Sequence, residues 1–548
     1  VKAEPGNAVY DSGLAAGAFV KDRQGHEVHG VGWARPRPQT GMRRLDMKRQ
    51  GSVGQSLALL AVLGLGSSLA TGPAAAEEPQ TPQTEWGYCP DDVVAEAAPT
   101  QLQCATVPVP LDYADPEGEQ IDLTISRLAA ADPDKRRGVL MLNPGGPGGS
   151  GLALSALLVA QGLPSDVTDR YDLIGMDTRG VGHSTPVSCG FTTDSPYYSN
   201  IPPYAVDDAA VTAQAKVAEQ AAEQCADNDD GRLRHLTTAN TARDLDRIRA
   251  AIGEEKTNYL GYSYGTALGA AYASMFPEHT DRIVLDSNIG DTHLDRDGLR
   301  RYALGMEQTL PDFAKWAARR HDSYGLGRTP EQVRASYLTI ADTLDKAPVA
   351  GIDGRLFRLL TFSHLFKQTQ YPKLAQTWQA MLKGDETATR GLSAAHKETA
   401  DRALSPTDNA LTVFLSVTCN DVEWPEDVNT YRQGVAEDRE RYPLYGAATA
   451  NITPCAFWPY APAEPPVEIE AEGPRNVLLL QNRRDASTPL RGGKMLREKF
   501  GDRARLVTVD DSGHGVYVLG DNSCALNTAT RYLVEGKMPT KDTFCRAD

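Results

Sequence analysis

A short apolar strand that breaks into Gly261-Tyr262-Ser263-Tyr264-Gly265 and then into a run of small residues constrains this chain more than any other feature. Lys256 to Leu260 reads as the strand. Thr266 to Phe276, rich in alanine, reads as a helix that can pack closely on a sheet. Gly-x-Ser-x-Gly between such elements predicts a sharp strand-to-helix turn with a serine at its apex, the glycines removing the Cβ clashes of the bend. The rest of the chain supplies a sheet to hold that turn. Gly138 to Asn143, Tyr171 to Asp177, Arg282 to Leu285, Asn476 to Gln481 and Arg505 to Val509 are apolar runs of the kind buried on both faces. Thr106 to Pro110 and Gln120 to Leu128 alternate, as strands with one wet face do. Thr238 to Ile252 carries Ala242, Leu245, Ile248 and Ile252 at helical spacing. Strand and helix in alternation predict an α/β fold with a doubly wound, mostly parallel sheet.

At 548 residues the chain is too long for one simple core. The sheet pattern occupies 100–290 and returns in 474–548. Between them, 291–473 holds helical patterns such as Leu304 to Arg319 and Pro330 to Lys346, and reads as an inserted helical cap over the sheet's carboxyl edge. Residues 1–46 lack hydrophobic periodicity and read either as an extension upstream of the functional protein or as a disordered tail. In 47–76, Met47-Lys48-Arg49 precedes the apolar run Leu57 to Leu65 and then Ala74-Ala75-Ala76, the layout of a signal peptide for secretion to the extracellular space. The run is too short to cross a bilayer, and no cysteine at the cleavage site suggests a lipid anchor, so no membrane anchor is expected. The Pro/Glu/Thr-rich stretch 77–99 reads as a linker or short propeptide.

The eight cysteines, Cys89, Cys104, Cys189, Cys225, Cys419, Cys455, Cys524 and Cys545, include no Cys-x-x-Cys pair, which speaks against a zinc or redox site. In an exported chain four disulfides are the simplest reading. Sequence alone leaves the connectivity open, and pairing neighbours favours short loops. His26-Glu27-Val28-His29 lacks zincin spacing, and no metal or other cofactor is expected. The net charge of −16 argues against a nucleic-acid partner. Nothing in the pattern speaks to oligomeric state.

A serine nucleophile needs a base, and the base needs a carboxylate to orient it. His514, in Ser512-Gly513-His514-Gly515 just after a predicted strand, is the best-placed histidine. Asp485, after the strand that starts at Asn476, is the candidate carboxylate. Asp510 and Asp511 compete for the role but share the histidine's own strand, and Asp485 could alternatively cap the helix that Pro489 opens. The glycine-rich stretch 145–149 lacks a Gly-Lys-Ser/Thr ending, so it is not a phosphate loop. Its Gly146 and Gly148 N–H groups, with that of Tyr264, are candidates for an oxyanion hole.

Taken together, Asn143-Pro144-Gly145-Gly146-Pro147-Gly148-Gly149-Ser150-Gly151, Asp177-Thr178-Arg179-Gly180-Val181-Gly182-His183-Ser184, Gly261 to Thr266, and Asp485 to Pro489 resemble the secreted tripeptidyl aminopeptidases of actinobacteria. These are α/β-hydrolase peptidases related to proline iminopeptidase. The resemblance implies an α/β-hydrolase fold with a helical cap, peptide or protein substrates with free N-termini, release of N-terminal tripeptides, and a triad of Ser263, Asp485 and His514. A secreted esterase or lipase, or an aminopeptidase of other product length, would use the same three residues. A free α-amine calls for an acid near the cap. Asp421 and Glu423, beside Cys419 and Trp424, are the candidates, against the alternative of a solvated acidic loop.

Overall fold

The computed structural model describes residues 84–192, 195–385, 387 and 407–548. The readings of 1–46 and 47–76 lie outside them. Ten strands form one sheet: β1 (Gly87–Tyr88), β2 (Gln103–Pro110), β3 (Gln120–Leu128), β4 (Val139–Asn143), β5 (Asp172–Met176), β6 (Thr257–Tyr262), β7 (Thr280–Asp286), β8 (Val477–Arg484), β9 (Ala504–Ser512) and β10 (Thr543–Cys545). Their order is β1-β2-β3-β5-β4-β6-β7-β8-β9-β10. From β5 to β10 every pairing is parallel, and β1 to β3 add an antiparallel wing. The unbroken apolar runs of β4 and β5 are buried at every position because helices cover both faces.

The stretch 77–99 needs correction. From residue 84 onward it is built into the body of the fold. Gly87 and Tyr88 pair with β2, Asp91–Ala97 is helical, and Cys89 is bonded to Cys104. Its proline and acid content hid two anchors, Val93 and Ala97, both buried.

β7 and β8 are adjacent in the sheet, yet the chain between them leaves it for a helical layer. Arg296–Ala318, Pro330–Lys346, Gly354–His364 and Tyr371–Lys383 converge on the fully buried Trp378, whose ring meets Phe313 at 4.9 Å, Tyr337 at 5.4 Å and Phe357 at 5.9 Å. Thr407–Asp421 and Val428–Arg441 follow. A helix from the earlier part of the chain, Asp208–Asn228, joins this layer: its Val211 and Ala215 pack with Tyr431, Val435 and Ile452. Its alanine-rich sequence carries too little amphipathic contrast to announce that role.

All eight cysteines are bonded, Cys89–Cys104, Cys189–Cys225, Cys419–Cys455 and Cys524–Cys545, the neighbour pairing that short loops favour. Cys189–Cys225 ties the loop after β5 to the helix Asp208–Asn228, and Cys524–Cys545 ties the helix Ser523–Glu535 to the edge strand β10. Losing one such bond typically costs about 2–5 kcal/mol, so full reduction is expected to lower the melting temperature by several degrees or more. Calorimetry with and without reductant, alongside a free-thiol count by mass spectrometry, checks this. Eight free thiols in the untreated protein would contradict it.

Candidate active site

Ser263 sits where β6 turns into the helix Gly265–Met275, with φ of 57°, a left-handed conformation that costs a non-glycine residue about 1–3 kcal/mol. The surroundings hold it there. The Ser263 N–H donates to the Asp286 carbonyl at 3.0 Å, and the Ser263 carbonyl accepts from the Thr266 N–H at 2.9 Å and the Thr266 hydroxyl at 2.6 Å. Gly145, at the carboxyl end of β4, presses against this turn. A Cβ there would lie 2.5 Å from the Tyr262 carbonyl oxygen and 2.9 Å from Ser263 Cβ, so only glycine fits.

This close approach brings two backbone donors together. The Gly145 N–H is taken by Asn143 Oδ1 at 2.9 Å. The N–H groups of Gly146 and Tyr264 meet no acceptor among the described residues. Gly148 lies further along, packed beneath Ala410 of the cap. The loop is braced by the buried Asp177, which accepts from the Ser150 hydroxyl at 2.5 Å, the Gly151 N–H at 3.1 Å and the His183 N–H at 2.9 Å. Burial pushes the Asp177 carboxyl up to about 6 against those donors.

Asp485 and His514 meet across the β8 and β9 strand ends. His514 Nδ1 lies 2.9 and 3.1 Å from the two Asp485 oxygens, and both side chains are buried. Asp485 is itself fixed by the Ser487 and Thr488 N–H groups, each 2.9 Å away, and by the Thr488 hydroxyl at 2.7 Å. The helix Leu490–Lys499 starts at Pro489 with no side-chain cap, so Asp485 does not cap it: the carboxylate holds the turn before that helix and pairs with His514. Asp510 bonds to Arg484 instead, and Asp511 to Gln368, so neither competitor reaches the histidine. Burial alone would lower the imidazole's pKa. The Asp485 charge and hydrogen bond, with Asp286 behind them, outweigh it and hold His514 above its usual value. The cap closes over the ring: the Phe366 ring lies 4.8 Å from that of His514, tilted by 45°, and the Phe366 carbonyl accepts the His514 backbone N–H at 2.8 Å. With Nδ1 facing Asp485, the tautomer set by that bond leaves Nε2 to accept a proton.

Asp421 and Glu423 are separated by a helix end. Asp421 closes the helix Thr407–Asp421 and is buried, its oxygens taking the Thr238 N–H at 2.8 Å and the Thr238 hydroxyl at 2.6 Å. That hydroxyl also meets the Tyr264 phenol at 2.6 Å. Burial pushes the Asp421 carboxyl up to about 7, and it has no Lys or Arg partner among the described residues. It lines a crevice with Thr238, His293 and Glu464. Glu423 is solvent-exposed, so the argument from a desolvated carboxylate does not extend to it. Sequence reasoning also passed over Thr488 and Asp286. The signal for Asp286 was an acid ending the apolar run Ile283-Val284-Leu285.

The chain is 35% identical over 462 residues to the tripeptidyl aminopeptidase of Streptomyces lividans, covering 82% of this chain and 84% of that one. The chain belongs to the tripeptidyl aminopeptidase family. This serine peptidase has the α/β-hydrolase fold, and its residues 442–545 match the family model described as TAP-like protein. It is also 29% identical over 525 residues to the serine protease Hip1 of Mycobacterium tuberculosis, covering 92% and 99% of the two chains. A carboxylesterase B of the same organism is 30% identical over 475 residues, 85% of this peptidase and 90% of that protein. Among the described residues no group of side chains could hold a metal ion, and no helix is long and apolar enough to cross a membrane.

Proposed function

We propose that this enzyme is exported and releases tripeptides from the free N-termini of peptides and proteins through an acyl-enzyme on Ser263. The observation that carries the chemistry is the buried Asp485–His514 pair, at the sheet edge where the strained turn presents Ser263. Ser263 Oγ attacks the scissile carbonyl while His514 Nε2 takes its proton. The Gly146 and Tyr264 N–H groups receive the oxyanion. The imidazolium, stabilised by Asp485, then gives the proton to the leaving amine, and water releases the acyl group by the same steps in reverse order. Four disulfides support an oxidising destination.

The length of product rests on the similarity to the Streptomyces enzyme, and the amine on Asp421. A buried acid lacking a cationic partner is suited to an incoming ammonium, which would draw its pKa back down. An extended tripeptide spans about 10 Å, so this reading requires the acid to stand about that far from Ser263. The match to a carboxylesterase favours one rival, an esterase with the same triad. Four chromogenic substrates separate the two: a tripeptide amide, a single-residue amide, an N-blocked tripeptide amide and a short-chain ester. The free tripeptide amide should be the best substrate. Preference for the ester, or indifference to the N-terminal block, would support the rival. Asp421→Asn is expected to raise KM for the free-amine tripeptide amide and to leave the ester nearly untouched. Glu423→Gln should affect neither.

A further inference from the structure

Asp286 ends β7, next to the strand that carries the nucleophile, and is fully buried. Its main chain and its side chain hold different parts of the site. The carbonyl accepts the Ser263 N–H at 3.0 Å. The carboxylate accepts the Val516 N–H on both oxygens, at 3.0 and 3.1 Å, and the Tyr517 N–H at 2.6 Å. It also accepts the hydroxyl of Ser287 at 3.0 Å. Ser287, held at φ 61°, turns its hydroxyl oxygen to the Gly515 N–H at 2.8 Å. The three residues after His514 therefore each hang by their backbone N–H from this one strand end. We propose that Asp286 is a positioning residue: it ties the nucleophile turn and the histidine loop to a single point and so sets the approach of His514 to Ser263. This rests on reading those two residues as base and nucleophile.

A glycine-flanked loop such as Gly513-His514-Gly515 has no stiffness of its own, with φ of 138° and 93° at its glycines. Its other backbone ties are the Gly513 and Gly515 carbonyls to Asn482 Nδ2, the Gly513 N–H to the Arg484 carbonyl and the His514 N–H to Phe366. Among the described groups that tie the loop's backbone, Asp286 brings a carboxylate where Asn482, Arg484 and Phe366 offer an amide and carbonyls. His514 faces Asp485 from the β8 end and Asp286 from β7. Asp286 in turn faces Tyr262, whose hydroxyl goes to the Tyr517 carbonyl at 2.9 Å. Burial pushes the Asp286 carboxyl up to about 7 against the N–H and hydroxyl donors it accepts, and above that pH its negative charge favours the imidazolium that forms as Ser263 gives up its proton.

Asp286→Asn tests this. The amide keeps the volume but cannot accept the N–H groups on both arms, and it removes the charge. With the fold verified by circular dichroism, kcat on the tripeptide amide should fall about 10²-fold with KM little changed, the scale of a small misplacement of a reacting group. The acid limb of kcat/KM should also move to lower pH, because His514 loses a charge that raises its pKa. Ser287→Ala, which removes an anchor without a charge, should lower kcat less and leave the limb in place. A folded Asp286→Asn with wild-type kcat, or one whose KM rises while its acid limb stays put, overturns the assignment. If Asp286→Asn does not fold, a wild-type kcat in Ser287→Ala overturns it. His514→Ala in the same assay keeps the two readings apart: activity surviving there refutes the triad itself, whatever Asp286 does.

Discussion

Ser263→Ala is expected to abolish turnover, by on the order of 10⁶-fold, while the melting temperature stays near that of the wild type. The loss follows from the chemistry: no other hydroxyl stands at the apex of the turn, and without it the acyl-enzyme cannot form. The retained stability follows from the backbone. Alanine at φ 57° bears the same strain as serine, and the hydrogen bonds that hold the turn come from the main chain of residue 263 and from Thr266. A fluorophosphonate should label the wild type at Ser263 and fail to label the variant. A variant keeping more than about a hundredth of the activity would remove Ser263 from the mechanism.

The second large effect is expected from the pair behind it. His514→Ala and Asp485→Asn should each reduce kcat by roughly 10⁴-fold, as in other triads. For Asp485→Asn the cause is specific. The amide can present its N–H₂ group to Nδ1, which turns the imidazole to the wrong tautomer, and the imidazolium loses its counter-charge. The pH profile carries the same information. The base must be neutral to accept the serine proton, so activity falls as pH drops through the His514 pKa. Because Asp485 and Asp286 hold that pKa above the ordinary value, the fall should begin at higher pH than for an unperturbed histidine. An acid limb at or below the usual histidine range would show that the imidazole is not paired in the active enzyme.

Much of this site was legible before any coordinates. β4 to β9 are apolar runs because a sheet covered on both faces selects for them, and the elbow glycines are fixed by sterics that allow little else. What remained hidden depends on where distant segments return. Asp485, Asp510 and Asp511 look alike as acids near strand ends, and only the relative reach of β8 and β9 separates them. Asp421 and Glu423 stand two positions apart, yet a helix end buries one and exposes the other. Asp286 was visible as a strand terminus, but not as the place to which the histidine loop comes back. The edge strands β1 and β10 are short, and disulfides rather than hydrophobic pattern secure their neighbourhood.

The long departure of the chain between β7 and β8 also orders events in time. A nascent polypeptide emerges with its elbow and β7 early, then the whole helical layer, and only afterwards the two strands that bring Asp485 and His514. Until β8 docks beside β7, the serine has neither base nor oriented imidazole. If Ser263, Asp485 and His514 act as proposed, a half-made chain therefore cannot cut its neighbours. On the proposed triad, competence arrives only with the final strands of the chain.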